Sequence, residues 1–166
     1  MTMPRQAART VPRHTTATVY VLKVALAGQK SLWRRIAIRS DQTLDQFHAA
    51  IYEAFDRWDE HLYSFYFPKP GRRGRARFRD AEEYTHPFNC EDPGPLGWKP
   101  RNAAKTQIRR LRLQPGQTFD YLFDFGDQWM HEITVEEADG VPEKGRYPRI
   151  LERHGESPEQ YPDPEK

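Results

Sequence analysis

Cysteine occurs once in this 166-residue chain, at Cys90, which excludes an internal disulfide and any cysteine-based zinc cluster. Long apolar runs are missing too, so no segment reaches the ~20 residues a membrane-spanning helix needs. The first 16 residues carry Arg5, Arg9, Arg13 and His14 and have no apolar stretch of the kind a signal peptide needs. With one cysteine and no secretion signal, the chain is expected in a reducing cytoplasm, away from membranes. Net charge is scarce: 26 basic side chains against 24 acidic ones leave +2, so any attraction for nucleic acid must be local. A Walker A loop, a dinucleotide-binding glycine fingerprint, His-Glu-x-x-His and Gly-x-Ser-x-Gly are all absent, as are zinc-finger and helix-turn-helix patterns. Phosphoryl transfer by those routes, Rossmann redox chemistry and serine hydrolysis are therefore without support. Internal repeats and heptads are absent as well.

What the chain has is aromatics. Hydrophobic residues make up only 37% of it, but aromatics alone reach 13%, and each buries a large area. The densest pattern lies in residues 118–137. Phe119, Tyr121, Phe123 and Phe125 alternate with polar and acidic neighbours, and Trp129, His131, Ile133 and Val135 alternate after them, the period of two that marks half-buried strands. Gly126-Asp127 between them signals a hairpin turn. Two registers compete. A two-residue loop pairs Phe125 with Gln128 and brings Met130 and Glu132 onto the aromatic face. A loop one residue longer pairs Phe125 with Trp129, Phe123 with His131 and Tyr121 with Ile133. The longer loop, with a bulge near Asp127, is preferred because it keeps one face apolar.

The rest of the chain reads in order. Residues 17–26 are apolar on both faces apart from Lys23, as in a central strand. Residues 32–39 alternate as a second strand in which Trp33 can take a guanidinium from Arg34 or Arg35 on its ring. Residues 40–58 form the main helix, opened by the capping box Thr43-x-x-Gln46 and striped by Leu44, Phe47, Ile51, Phe55 and Trp58. Residues 61–67 form another strand. Residues 68–100 read as an inserted loop, basic and then rich in proline and glycine, pinned by Phe88, Leu96 and Trp98. A short helix is expected near Asn102 or Thr106, a turn at Pro115-Gly116 and another at Asp139-Gly140. Residues 147–161 are expected to cross the surface without regular structure. The order gives one α+β domain over residues 17–151, a mixed or antiparallel sheet with one main helix on one face, in an arrangement that could be β-grasp-like. Residues 1–16 make a disordered basic tail and residues 152–166 an extended one.

The pattern Phe119-x-Tyr121-Leu122-Phe123-Asp124-Phe125-Gly126-Asp127-x-Trp129-x-His131-x-Ile133 resembles the signature of the plasmid pRiA4b open-reading-frame-three-like family, whose members are also described as passenger proteins of insertion sequences. Three further segments match it: Tyr20-x-Leu22-Lys23-Val24 with Leu32-Trp33-Arg34-Arg35-Ile36; Thr43-Leu44-x-x-Phe47-His48-x-x-Ile51; and Trp58-x-x-His61-Leu62-x-x-Phe65. The resemblance implies a small α+β domain and no established activity. Residues 69–79 lie outside the family pattern, and the ending from Tyr147 to Pro162 replaces the Cys- and Gly-containing one of many members.

Candidate functional residues gather on the hairpin and the elements expected beneath it: Asp124, Asp127, Trp129, His131, His48 and His61. For each histidine a packing role competes with a chemical one. His131 is either a buried neutral imidazole or a metal ligand or proton carrier oriented by an aspartate. Three functions follow. The first is a non-catalytic binding module for a protein or nucleic-acid partner, needing no cofactor. The second is a nucleic-acid accessory using Arg72, Arg73, Arg75, Arg77 and Arg79 on a phosphate backbone. The third is a hydrolase in which some of His48, His61, His131, Asp124 and Asp127, two or three histidines with a carboxylate, hold a divalent metal, zinc or manganese; it requires the helix, the His61 strand and the hairpin tip to converge.

Overall fold

The computed structural model describes residues 16–90 and 99–165. The basic tail therefore lies outside the described residues except for Thr16, as do Leu96 and Trp98. Residues 19–26 are apolar on both sides because they form β1 (Val19–Leu26), an interior strand flanked by β2 (Gln29–Arg39) and β7 (Trp129–Gly140). The sheet has eight strands in the order β5-β4-β3-β6-β7-β1-β2-β8, with β3 (Tyr63–Phe67), β4 (Glu82–Thr85), β5 (Arg101–Asn102), β6 (Thr118–Phe123) and β8 (Arg149–His154) completing it. All pairs are antiparallel except β4–β5 at one edge. The central pair β1–β7 is antiparallel, so the β-grasp-like arrangement that the element order allows is not the one adopted.

The single α-helix among the described residues, α1 (Leu44–Ala54), begins at the expected capping box: Gln46 N donates to Thr43 Oγ1 at 3.2 Å, and Thr43 N donates to Gln46 Oε1 at 2.9 Å. It ends earlier than its apolar spacing suggests. Arg34 Nε and Arg153 Nη1 both donate to the Ala54 carbonyl, at 2.8 and 2.7 Å, satisfying the helix C-terminus with positive charge. Asp56 then takes a left-handed φ of 53°. The chain leaves helical phase there, so Arg57 is buried and Trp58, expected on the buried stripe, is 69% exposed. Leu44, Phe47, Ile51 and Phe55 do pack against the sheet, meeting a face that includes Leu22, Val24, Ile36, Phe65, Phe119 and Ile133.

Three stretches carry more strand than their sequence suggests. Residues 82–85, inside the expected loop, pair with β3 as β4. β7 runs through the expected turn at Asp139-Gly140, accommodated by irregular pairing with β1 near Val21; a Cβ on Gly140 would come within 3.1 Å of the Val19 carbonyl oxygen. Residues 149–154, expected to be irregular, form β8 along β2, joined by Arg35, which pairs with both Glu136 and Glu152. Arg35 also stacks on Trp33 at 4.9 Å, as its neighbourhood suggests. Phe88, expected to pin the loop, is 71% exposed. No helix among the described residues is long and apolar enough to cross a membrane.

Candidate functional site

The hairpin keeps the predicted apolar face but closes two residues earlier than expected. Phe123 pairs with Trp129, Tyr121 with His131 and Phe119 with Ile133, leaving a five-residue loop, Asp124 to Gln128. Asp124 causes the shift. It adopts a left-handed φ of 63°, its Oδ1 accepts from Gly126 N at 2.9 Å, and its carbonyl accepts from Gln128 N at 2.7 Å. A shift of two preserves the face, which is why Phe125 moves to the tip, 38% exposed, while His131 stays inside.

Two of the candidate histidines are held in the core by Tyr121. His48, on the sheet side of α1, has Nδ1 2.6 Å from the Tyr121 hydroxyl, and its ring stacks on Tyr63 at 3.8 Å. Tyr63 in turn donates to Asp45 Oδ1 at 2.5 Å, closing a chain of polar groups between helix and sheet. Nε2 of His48 faces Glu60 at 3.6 Å, so the network assigns the ring proton to Nε2 and makes Tyr121 the donor to Nδ1. Burial lowers the pKa of His48 to about 4, against a smaller opposing pull from Asp45. His131 is 1% exposed and faces the Tyr121 carbonyl at 3.3 Å through Nδ1. Only a protonated Nδ1 can serve that carbonyl, so Nε2 is an acceptor. Burial first and the nearby Arg57 second lower its pKa to about 3. Both imidazoles are neutral at pH 7.

His61 stands apart at the hairpin tip. Its Nε2 lies 2.6 Å from the Tyr161 hydroxyl, 3.4 Å from Asp59 and 3.6 Å from Asp124. Tyr161 donates to Asp59 at 2.6 Å, a bond that pushes its own pKa up to about 12. Asp127 is exposed at the tip. Tyr121 thus holds two of the histidines and Tyr161 the third, and among the described residues no group of three or more His, Cys, Asp or Glu is arranged to hold a metal ion. The shared coordination shell that the hydrolase reading requires is not formed there.

The residue the sequence gives no sign of is Arg57. A single arginine between a helix and a strand reads as solvated, yet this one is 7% exposed, with its guanidinium carbon 4.1 Å from the centre of the Trp129 ring. Its Nε, Nη1 and Nη2, together with Trp129 Nε1 and His131 Nε2, are buried without a hydrogen-bond partner among the described residues. Burial lowers its pKa, with Tyr121 and Asp56 opposing.

The arginines of residues 69–79 divide into two kinds. Arg77 is a strut: it lies 3.0 Å from Asp120 and 3.2 Å from Glu132, tying the 3₁₀ turn Gly74–Phe78 to the open face of the sheet. Asp120 is 5% exposed, and burial pushes its carboxyl up to about 6 despite Arg77. Arg72 faces Asp80 at 3.6 Å. Arg73, Arg75 and Arg79 are exposed and form no ion pair among the described residues. Around the β5 edge lie two adjoining hollows of ≈ 850 and ≈ 360 Å³ that share Tyr84, Arg101 and Arg110; Lys105 lines the larger, and Lys69 and Glu82 the smaller. Sequence reading passed over this edge. The signal was available in residues 99–112, which hold six basic side chains and no acidic one.

Comparison with known proteins gives the chain relatives without a described activity. It is 29% identical over 145 residues to the uncharacterized protein y4hQ of Sinorhizobium fredii (strain NBRC 101917 / NGR234), an alignment covering 86% of this chain and 65% of that protein. The chain thus spans just under two thirds of that relative's length. Its fold is similar to the crystal structure of MM3350 from Methanosarcina mazei Go1, a protein of unknown function, with a TM-score of 0.63 at 22% identity over 86% of this chain and 72% of that one. The family model for the plasmid pRiA4b ORF-3-like protein matches residues 18–161, from the start of the sheet to the tyrosine that holds His61 and Asp59, and the chain belongs to that family.

Proposed function

We propose that this domain is a non-catalytic binding module that takes the sugar-phosphate backbone of a nucleic acid along its β5 edge. The observation that supports the reading is the lining of the two adjoining hollows: Lys69, Arg101, Lys105 and Arg110 against the single carboxylate of Glu82. Arg109 and Arg112 stand exposed beside them. Guanidinium forks match phosphate oxygens, and such contacts give salt-dependent affinity without reading bases. Non-catalytic action fits the core histidines, each of which turns its Nδ1 inward to Tyr121. A cytoplasmic setting and the family's association with mobile elements agree with this partner, the second by resemblance only.

Fluorescence anisotropy on a labelled DNA duplex, with polyglutamate as a parallel probe, tests the reading. Wild type should bind the duplex, and Arg101→Glu with Arg110→Glu should abolish binding. Binding of polyglutamate but not DNA would assign the edge to an acidic protein partner instead. Deleting residues 71–77 is a poorer test, because it removes Arg77 and leaves Asp120 buried without its cation.

A further inference from the structure

We propose that a slot on the open face of the sheet, separate from the basic edge and independent of it, binds a small apolar molecule carrying one negative charge. The slot measures ≈ 420 Å³, within the range of about 300–1,000 Å³ that small-molecule sites occupy. Its floor follows from strand alternation. Leu22, Val24, Ile133 and Val135 belong to the core, so Lys23 and Ala25 on β1 and Met130, Glu132 and Thr134 on β7 turn to the other side of the sheet, where they line the slot. One wall is the 3₁₀ turn Gly74–Phe78, which Arg77 braces against the sheet through Asp120 and Glu132. A second wall is the turn between β1 and β2, with Ala27, Gly28 and Lys30.

Two features describe the occupant. The first is the surface it meets. Unlike the hollows of the β5 edge, this one is walled mainly by apolar groups. Phe78 contributes a ring that is 42% exposed, and Met130 a polarisable thioether, both suited to an apolar body. The second is charge. Lys23, Lys30 and Arg77 face Asp120 and Glu132 across the slot, leaving one positive charge in excess. Arg77 takes both carboxylates, at 3.0 and 3.2 Å, whereas Lys23 and Lys30 form no ion pair among the described residues. Lys23 lies over the Trp33 ring at 4.9 Å, and Lys30 is exposed. A cationic ligand would find the acids already engaged and two ammonium groups repelling it. A single anion finds those ammonium groups with donors to spare.

The probe is 2-naphthoate, followed through the Met130 methyl cross-peak in ¹H–¹³C NMR of the full chain, labelled at its three methionines, at pH 7. Met130→Leu assigns the peak. The expected result is saturable movement with naphthoate and binding about tenfold weaker for the neutral alcohol and the ammonium of the same ring system, as two partly solvated ion pairs would give. Lys23→Gln with Lys30→Gln should weaken naphthoate by the same factor and leave the alcohol unchanged, which a merely structural effect would not do. Phe78→Ala should weaken both. Arg101→Glu with Arg110→Glu should leave naphthoate binding as it is, so the slot and the basic edge stand or fall separately. A Met130 peak unmoved by naphthoate would overturn the site, as would loss of binding in the Arg101 and Arg110 variant. Alcohol or ammonium binding as tightly as naphthoate would overturn the assignment of an anion.

Discussion

Nδ1 of His48 and the hydroxyl of Tyr121 meet at 2.6 Å, joining helix α1 to the middle of the eight-stranded sheet. The contact is buried on both sides, so neither atom has solvent to fall back on. Tyr121→Phe removes the donor and keeps the ring, leaving Nδ1 an acceptor without a partner. The variant should lose about 1–3 kcal/mol of stability in urea unfolding with its fold unchanged. A loss near zero would mean that the pair contributes only shape.

Acid should destabilise the domain well before its exposed carboxylates titrate. Burial lowers the folded pKa values of His48 to about 4 and His131 to about 3, from an ordinary 6.5. The unfolded chain therefore takes up these protons first, and stability falls as pH drops from 6.5 toward those values. Each pKa unit is worth ~1.4 kcal/mol, so each imidazole can remove a few kcal/mol. Asp120 opposes them: its folded pKa of about 6 exceeds the ordinary 3.8, so its burial costs stability above pH 6, and that cost is relieved as pH falls toward 3.8. Two histidines outweigh one aspartate, and the urea midpoint should be lower at pH 5 than at pH 7. In His48→Gln the drop should shrink.

Gln160, close to the C-terminal end, should matter as much as a core residue. It is 2% exposed; its Oε1 accepts from Trp58 N at 3.0 Å and Asp59 N at 3.2 Å, and its Nε2 donates to the Asp59 carbonyl at 2.8 Å. Gln160→Ala should cost about 2 kcal/mol by thermal or urea unfolding, because it leaves three backbone groups unpaired. An extended tail without structural weight would lose nothing.

Arg77 and its neighbours should separate cleanly. Arg77→Ala strips the cation from buried Asp120 and should destabilise the domain by about 1–3 kcal/mol. Arg73→Glu and Arg75→Glu, on exposed positions that do not line the β5 edge, should leave the unfolding midpoint unchanged and DNA binding close to wild type. Urea unfolding and anisotropy on the same variants read the two effects.

Much of the scaffold was legible because it rests on local chemistry. The capping box at Thr43 and Gln46, the two-sided apolar run of β1 and the aromatic alternation of β6 and β7 each follow from a few adjacent residues. What was hidden depends on backbone events with weak local signatures. Left-handed Asp56 exchanged Trp58 for Arg57 at the buried position, and left-handed Asp124 lengthened the hairpin loop by two. Strands β4 and β8 are short or half-exposed and gain order only by pairing with β3 and β2. The partners of the candidate histidines, Tyr121 and Tyr161, are distant in sequence from His48 and His61 and unreadable from it.

The central claim is that the β5 edge binds a phosphate backbone, and the salt dependence of DNA affinity tests it most directly. Anisotropy titrations of a short duplex from ~50 to ~200 mM NaCl should give a straight fall of log K against log salt, the same for unrelated sequences. Arg110→Glu should shorten the slope by at least about one unit, as expected when one phosphate contact is lost. A slope of zero, or an Arg110→Glu variant indistinguishable from wild type in both affinity and slope, would contradict the account.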